Sequence, residues 1–210
     1  MITPIGRAGW LIGLTLIFSS PAFAGIYWGV RAGIARSSLV QKIDLDYWSG
    51  SCLGYSAAVL ADIPFYQRFS FRPEVAFAYE GGSFYSELLD GLFLQKHRLR
   101  SYSLQPSFDV AFNIPIAGVK MTVYGGPTLD FRLCNKLSSE RLEEEFAAIN
   151  PKRVRPFDLG VNTGISVEYK GVFFSITALP GIIYQQTKKT EGESSVFQNN
   201  LTFSLGYIFR

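Results

Sequence analysis

The chain has 210 residues, of which 48% are hydrophobic, 15% aromatic and only 18% charged, with a net charge of +3 and a mean hydropathy of +0.15. So few charges exclude a disordered or acidic-tail protein, and so small a positive surplus gives no case for nucleic acid. No apolar run reaches the roughly 18 residues that a membrane-crossing helix needs, so the chain is too apolar for an ordinary soluble domain and yet has no helical span.

Residues 1–24 read as a secretory signal peptide. Arg7 supplies the positive flank, residues 10–18 (WLIGLTLIF) the short apolar core, and Ala22-Phe23-Ala24 the small-x-small cleavage site. Gly25 follows the site, where a lipoprotein would need cysteine. Residues 25–210 are then a single domain. Export puts Cys52 and Cys134 in an oxidising compartment, so a disulfide between them and two free thiols are both open.

From Ile26 onward the apolar pattern has a period of two, the signature of strands. The first strand sets Trp28, Val30 and Ile34 against Gly29, Arg31, Gly33 and Ala35, and the second sets Leu53, Tyr55 and Val59 against Gly54, Ser56, Ala58 and Asp62. A tight turn over residues 63–67 leads to a third strand, with Phe69, Phe71, Val75, Phe77 and Tyr79 against Arg68, Arg72 and Glu74. Asp90-Gly91 is a type I′ hairpin signal, so strands three and four are expected to continue beyond the membrane. The fourth strand sets Tyr102, Leu104, Phe108 and Val110 against Ser101, Ser103, Gln105 and Asp109, and turns at 115–118. The fifth sets Val123, Leu129 and Phe131 against Lys120, Thr122 and Asp130, before an expected amphipathic helix over 138–149. The sixth sets Phe157, Val161, Ile165 and Tyr169 against Asp158, Asn162 and Glu168. Lys170-Gly171 turns into a seventh strand, with Val172, Phe174, Ile176, Ile182 and Tyr184 on one parity. The eighth sets Leu201, Phe203, Leu205, Tyr207 and Phe209 against Gln198, Thr202 and Ser204.

Connections after strands two, four and six are short and the others long, which brings both termini to the short-turn, periplasmic side. Pro73, Pro106, Pro127 and Pro180 fall inside strands, where a closed barrel has no edge to excuse a missing N–H; bulges beside Gly125-Gly126 and Gly181 are expected to take up two of them.

Alternation alone permits a soluble lipocalin-like carrier with an apolar lumen or a membrane barrel with an apolar exterior. The apolar parity carries no charge before Arg36, Arg98 and Arg100 near the long-loop rim. A Lys or Arg facing mid-bilayer costs about 2–4 kcal/mol, so this parity suits lipid. The other parity is small and polar, with Arg31, Arg68, Arg72, Lys120 and Arg132 opposing Asp62, Glu74, Asp109, Asp130, Asp158 and Glu168. These residues are the expected lumen charge network of an all-β, eight-stranded antiparallel up-and-down transmembrane β-barrel, a narrow porin-like fold filled by its own side chains.

The chain resembles the PorT-like outer-membrane β-barrel family. Trp28-Gly29-Val30-Arg31-Ala32-Gly33 is similar to that family's first-strand glycine pattern, and Tyr102-Ser103-Leu104-Gln105-Pro106 to its Y-L-E-I-P strand, with glutamine for the acid. Tyr124-Gly125-Gly126-Pro127, then Asp158, Gly160, Gly164 and Glu168, then Leu205-Gly206-Tyr207-Ile208-Phe209 are similar to its later motifs in the same order. The resemblance implies a barrel in the bacterial outer membrane, prolines tolerated at 106 and 127, and a link with secretion or envelope assembly.

Chemistry is sparsely signalled. His97 is the one histidine, and a lipid A-modifying hydrolase or transferase would have to use it. No serine stands two residues on, where Leu99 sits instead. One histidine and two separated cysteines give no metal-ligand cluster, and no cofactor is expected. Lys96, Arg98, Arg100, Lys152, Arg153 and Arg155 gather on the long-loop side as candidate contacts for lipopolysaccharide phosphates, with a solvated surface paired to Glu140 and Glu143–145 as the alternative. The expectation is a non-catalytic outer-membrane protein with a structural or interaction role. Its expected partners are outer-membrane lipid and lipopolysaccharide, the barrel-assembly machinery during insertion, and an envelope protein.

Overall fold

The computed structural model describes residues 25–43, 46–88, 93–139, 156–182 and 195–209. The signal peptide, the Asp90-Gly91 turn, helix residues 140–149, Tyr184, Lys152, Arg153 and Arg155 lie outside these residues. The elements are β1 (Tyr27–Ile43), β2 (Asp46–Tyr66), β3 (Phe69–Leu88), β4 (Phe93–Ile116), β5 (Val119–Ser139), β6 (Phe157–Tyr169), β7 (Val172–Pro180) and β8 (Ser195–Phe209). Each strand pairs antiparallel with the next and β8 closes on β1, so the barrel has no free edge.

Local chemistry sets the short turns. Ala117 and Gly118 have φ of 45° and 88°, and Lys170 and Gly171 49° and 86°. Two successive left-handed residues make the type I′ twist that matches paired strands, and glycine takes the second place without strain. Along the strands, buried and exposed residues then alternate, as in Thr122, Tyr124, Thr128 and Asp130 against Val123, Pro127 and Phe131.

The exposed face is the apolar one. Val59, Val75, Phe77, Phe108, Val110, Val123, Ile165, Ile176 and Phe203 are all exposed, while Ser103, Asp109, Ser166 and Ser204 are buried. Aromatic rings bound this surface: Trp28, Phe69, Tyr169 and Phe209 near the turns, and Tyr55, Tyr79, Tyr102 and Phe131 farther up. Ten residues separate Phe69 from Tyr79 on β3. At about 3.3 Å per residue and a tilt near 40°, that is roughly 25 Å, the height of an outer-membrane apolar band. A lipocalin-like carrier has the opposite arrangement.

Four expectations are corrected. Most of the first long connection is strand, because β1 and β2 stay in register out to Ile43↔Asp46. Next to them in the barrel, β3 and β4 likewise run on, as anticipated, to Leu88↔Phe93. Ser138 and Ser139 belong to β5, paired with Arg98 and His97, instead of opening a helix. The seventh strand stops at Pro180, and Ile182 beyond it is outside the strand. Finally, the prolines need no bulge at Gly125-Gly126. Pairing of β4 with β5 keeps one register from Leu104↔Phe131 through Ser107↔Thr128 to Val110↔Gly125, and simply lapses beside Pro106 and Pro127, which have no N–H to donate. The β2–β3 ladder lapses beside Pro73 in the same way, between Leu60↔Glu74 and Ile63↔Phe71.

Candidate functional site

The lumen holds the densest chemistry. Its side chains come from alternate residues of every strand, so pleat parity alone aims them inward. At the turn end, Lys120 bridges Asp62 at 3.1 Å and Glu168 at 2.8 Å. Beside it the buried Arg72 guanidinium lies between two rings, 5.1 Å from Tyr124 and 5.2 Å from Phe173. Phe173 packs with Leu60 and Ile208 as an apolar stopper inside the polar lumen. The stopper requires Gly206, since a Cβ there would overlap the Phe173 ring.

Midway up, Arg31 grips Glu74 through two N–H donors, Nε at 2.8 Å and Nη2, and donates from Nη1 to Ser204 at 2.8 Å. Asn162 donates to Asp109 at 2.6 Å on the facing wall. Higher still, Arg132 lies 3.3 Å from Asp158 and 3.8 Å from Asp130. Glu80 accepts from Ser103 at 3.1 Å, from Gln105 at 2.9 Å and from Asn200. Ion pairs taken out of water demand such partners, because an unpaired buried charge costs several kcal/mol. The tiers leave a central cavity of about 30 Å³, lined in part by Arg31, Glu74, Glu80, Gln105 and Asn162. That is room for one or two waters.

Arg31, Arg72, Glu74, Asp109, Asp130, Asp158 and Glu168 are buried here, with Lys120 part-buried. Arg68 is a correction. It is exposed in the turn before β3, because the strand begins one residue later at Phe69. Glu80, Tyr124 and Phe173 escaped the sequence reading. Glu80 carries the inward parity of Glu74 six residues further, a signal present but unused, whereas Phe173 is an aromatic on the polar parity and hydropathy hides it.

The two cysteines are free, the second of the two states that the sequence left open. Tyr102 pairs with Cys134 but Ser103 pairs with Arg132, so Leu133 is an extra residue in β5. This bulge reverses the facing of the residues that follow it. Cys134 is therefore exposed on the outer side like Tyr102, whereas Cys52 keeps the even-numbered, inward parity of β2. Even-numbered parity alone would place both thiols inward, and the bulge is what separates them.

His97 pairs through its backbone with Phe84 and Ser139, and Ser101 on the same strand is buried. Among the described residues no cluster of three or more His, Cys, Asp or Glu could hold a metal ion. Of the candidate phosphate contacts, Arg98 and Arg100 are exposed on the outer side, and Lys96 pairs through its backbone with Tyr85.

The profile of the outer membrane protein beta-barrel domain family matches residues 18–209. No curated protein matches the chain significantly in sequence. Among solved structures it is similar to Neisserial surface protein A (18% identity, 88% of this chain and 99% of that chain, TM-score 0.45). It is similar also to Ail, the attachment invasion locus protein of Yersinia pestis, in complex with the heparin analogue sucrose octasulfate (13%, 88% and 99%, TM-score 0.45). A third is a major outer membrane protein from Thermus thermophilus (13%, 85% and 99%, TM-score 0.47).

Proposed function

The chain belongs to the outer membrane protein beta-barrel domain family, and we propose that it serves in the bacterial outer membrane as a non-catalytic barrel acting through its surface. The observation that carries this reading is the lumen. Its ion-pair tiers and the Phe173 stopper leave a cavity of about 30 Å³, far below what a solute path needs. A barrel closed inside can meet partners only through its lipid-facing wall, its outer hairpins and its periplasmic turns. The resemblance of the Trp28–Gly33, Tyr102–Pro106 and Leu205–Phe209 segments to PorT-like barrels supports a contact within secretion or envelope assembly. Short turns after β2, β4 and β6 support a periplasmic position for both termini.

Two measurements on the full-length barrel test the reading. Purified and placed in planar bilayers, it should give no resolvable single-channel conductance, and a steady open conductance would sink the closed-lumen reading. In cells, His97→Ala should leave the lipid A mass profile unchanged. A shifted profile would favour a lipid-modifying enzyme instead.

A further inference from the structure

The carboxylates whose side chains are described are all buried: Asp62, Glu74, Glu80, Asp109, Asp130, Asp158 and Glu168. The exposed described cations are Arg36, Arg68, Arg98, Arg100, Lys136 and Lys170, so among the described side chains the outer surface carries positive charge alone. Arg68 and Lys170 sit in the short turns and Arg36 stands on β1, whereas Arg98, Arg100 and Lys136 converge on one groove across β4 and β5.

That convergence has a structural cause. Even-numbered residues of β5 from Thr122 to Arg132 face the lumen, and without the Leu133 bulge Lys136 would follow them inside. The bulge turns it outward and pairs it directly with Arg100. Like charges directly opposite on one sheet face are destabilising, so the pairing calls for an anion between them. Arg98, two residues along β4, adds a third cation to the same face.

The floor of the groove indicates what kind of anion. Tyr79 and Tyr102 lie beneath the cations with ring centroids 4.9 Å apart, and the Arg100 guanidinium is 5.9 Å from the Tyr79 ring. Tyrosines at the edge of the apolar band mark the headgroup level of a membrane, and apolar Phe77, Leu104 and Phe131 continue below them. The groove, lined also by Cys134, has a volume of about 410 Å³. We propose that the Arg98, Arg100 and Lys136 groove binds the phosphate of an anionic outer-leaflet glycolipid, whose acyl chains lie along the apolar wall below. The proposal rests on the surface-acting reading above and names the partner of that surface.

Native mass spectrometry of the full-length barrel in detergent tests it with three probes: bisphosphorylated lipid A, the same lipid with its phosphates removed, and inorganic phosphate. The wild type should retain the phosphorylated lipid at least about tenfold better than the dephosphorylated one. The triple variant Arg98→Gln, Arg100→Gln, Lys136→Gln should lose that preference, while Arg36→Gln keeps it. Equal retention of both lipids, or an undiminished preference in the triple variant, would overturn the site. Retention of inorganic phosphate without the phosphorylated lipid would make this a free-anion site and overturn the lipid assignment. Heat-modifiable gel mobility verifies that each variant folds. Conductance of the same preparations keeps the two readings apart: an open lumen sinks the closed-barrel reading and leaves lipid retention standing, and loss of lipid preference does the converse.

Discussion

Arg31 concentrates the energetics of the lumen in one side chain. Its guanidinium holds Glu74 at two points and Ser204 at a third, from a position buried among eight converging strands. Arg31→Ala strands the Glu74 carboxylate without its cation, which costs about 3–5 kcal/mol in a buried pair. Urea unfolding of the barrel in vesicles should show a loss of that order. The double replacement Arg31→Met, Glu74→Leu should recover most of it, since a well-packed apolar pair replaces a buried ion pair at little cost. If the double variant proves as unstable as the single, the pair does more than fill space. Arg36→Ala, on the exposed side of the same strand, should stay within about 1 kcal/mol of wild type.

At the scale of elements, β5 shows how a strand departs from strict alternation. Its first fourteen residues keep even numbers inward, and Leu133 then shifts the register against β4 by one. Deleting Leu133 removes the extra residue, so Cys134 takes the outward place after Arg132 and keeps its pairing with Tyr102. In a Cys52→Ser background, maleimide labelling of Cys134 in detergent should be as fast in the deletion variant as in the parent, because the thiol stays on the exposed face. Slowing of about tenfold or more would mean that the thiol turned inward and that the pairing with Tyr102 does not set its facing. The prolines teach a related lesson. Pro73, Pro106 and Pro127 each silence a short stretch of one ladder without moving the register, because neighbouring pairs on both sides hold the strands in place. A closed barrel tolerates such gaps better than an open sheet would, since no single ladder bears the whole closure.

For the whole molecule, three two-residue turns face one compartment and paired strand extensions face the other. Single cysteines at Gly118 and Ser38, each in a background with Cys52 and Cys134 replaced by serine, report orientation directly. An impermeant maleimide added to intact cells should label position 38 and spare position 118 until the outer membrane is opened. The reverse pattern would invert the barrel.

The sequence by itself determined the strand number, the short turns and the choice of lipid-facing parity. These depend on local periodicity and on the penalty for charge in hydrocarbon, both readable residue by residue. It also named most of the lumen charges, because parity assigns a side without any knowledge of partners. What it left open needed pairing between strands. Arg31–Glu74 and Lys120–Asp62 join strands that are not neighbours in the sheet, so the curvature of the closed cylinder brings them within hydrogen-bond reach, whereas Lys120–Glu168 and Arg132–Asp158 follow from the register of β5 against β6. The outward turn of Cys134 and Lys136 depends on a register shift against a neighbour, which one strand's own pattern does not record. The extension of β1 and β2 to Ile43↔Asp46 is of the same kind. Those residues are too polar to signal a lipid-facing strand, and cross-strand hydrogen bonds rather than hydropathy keep them extended.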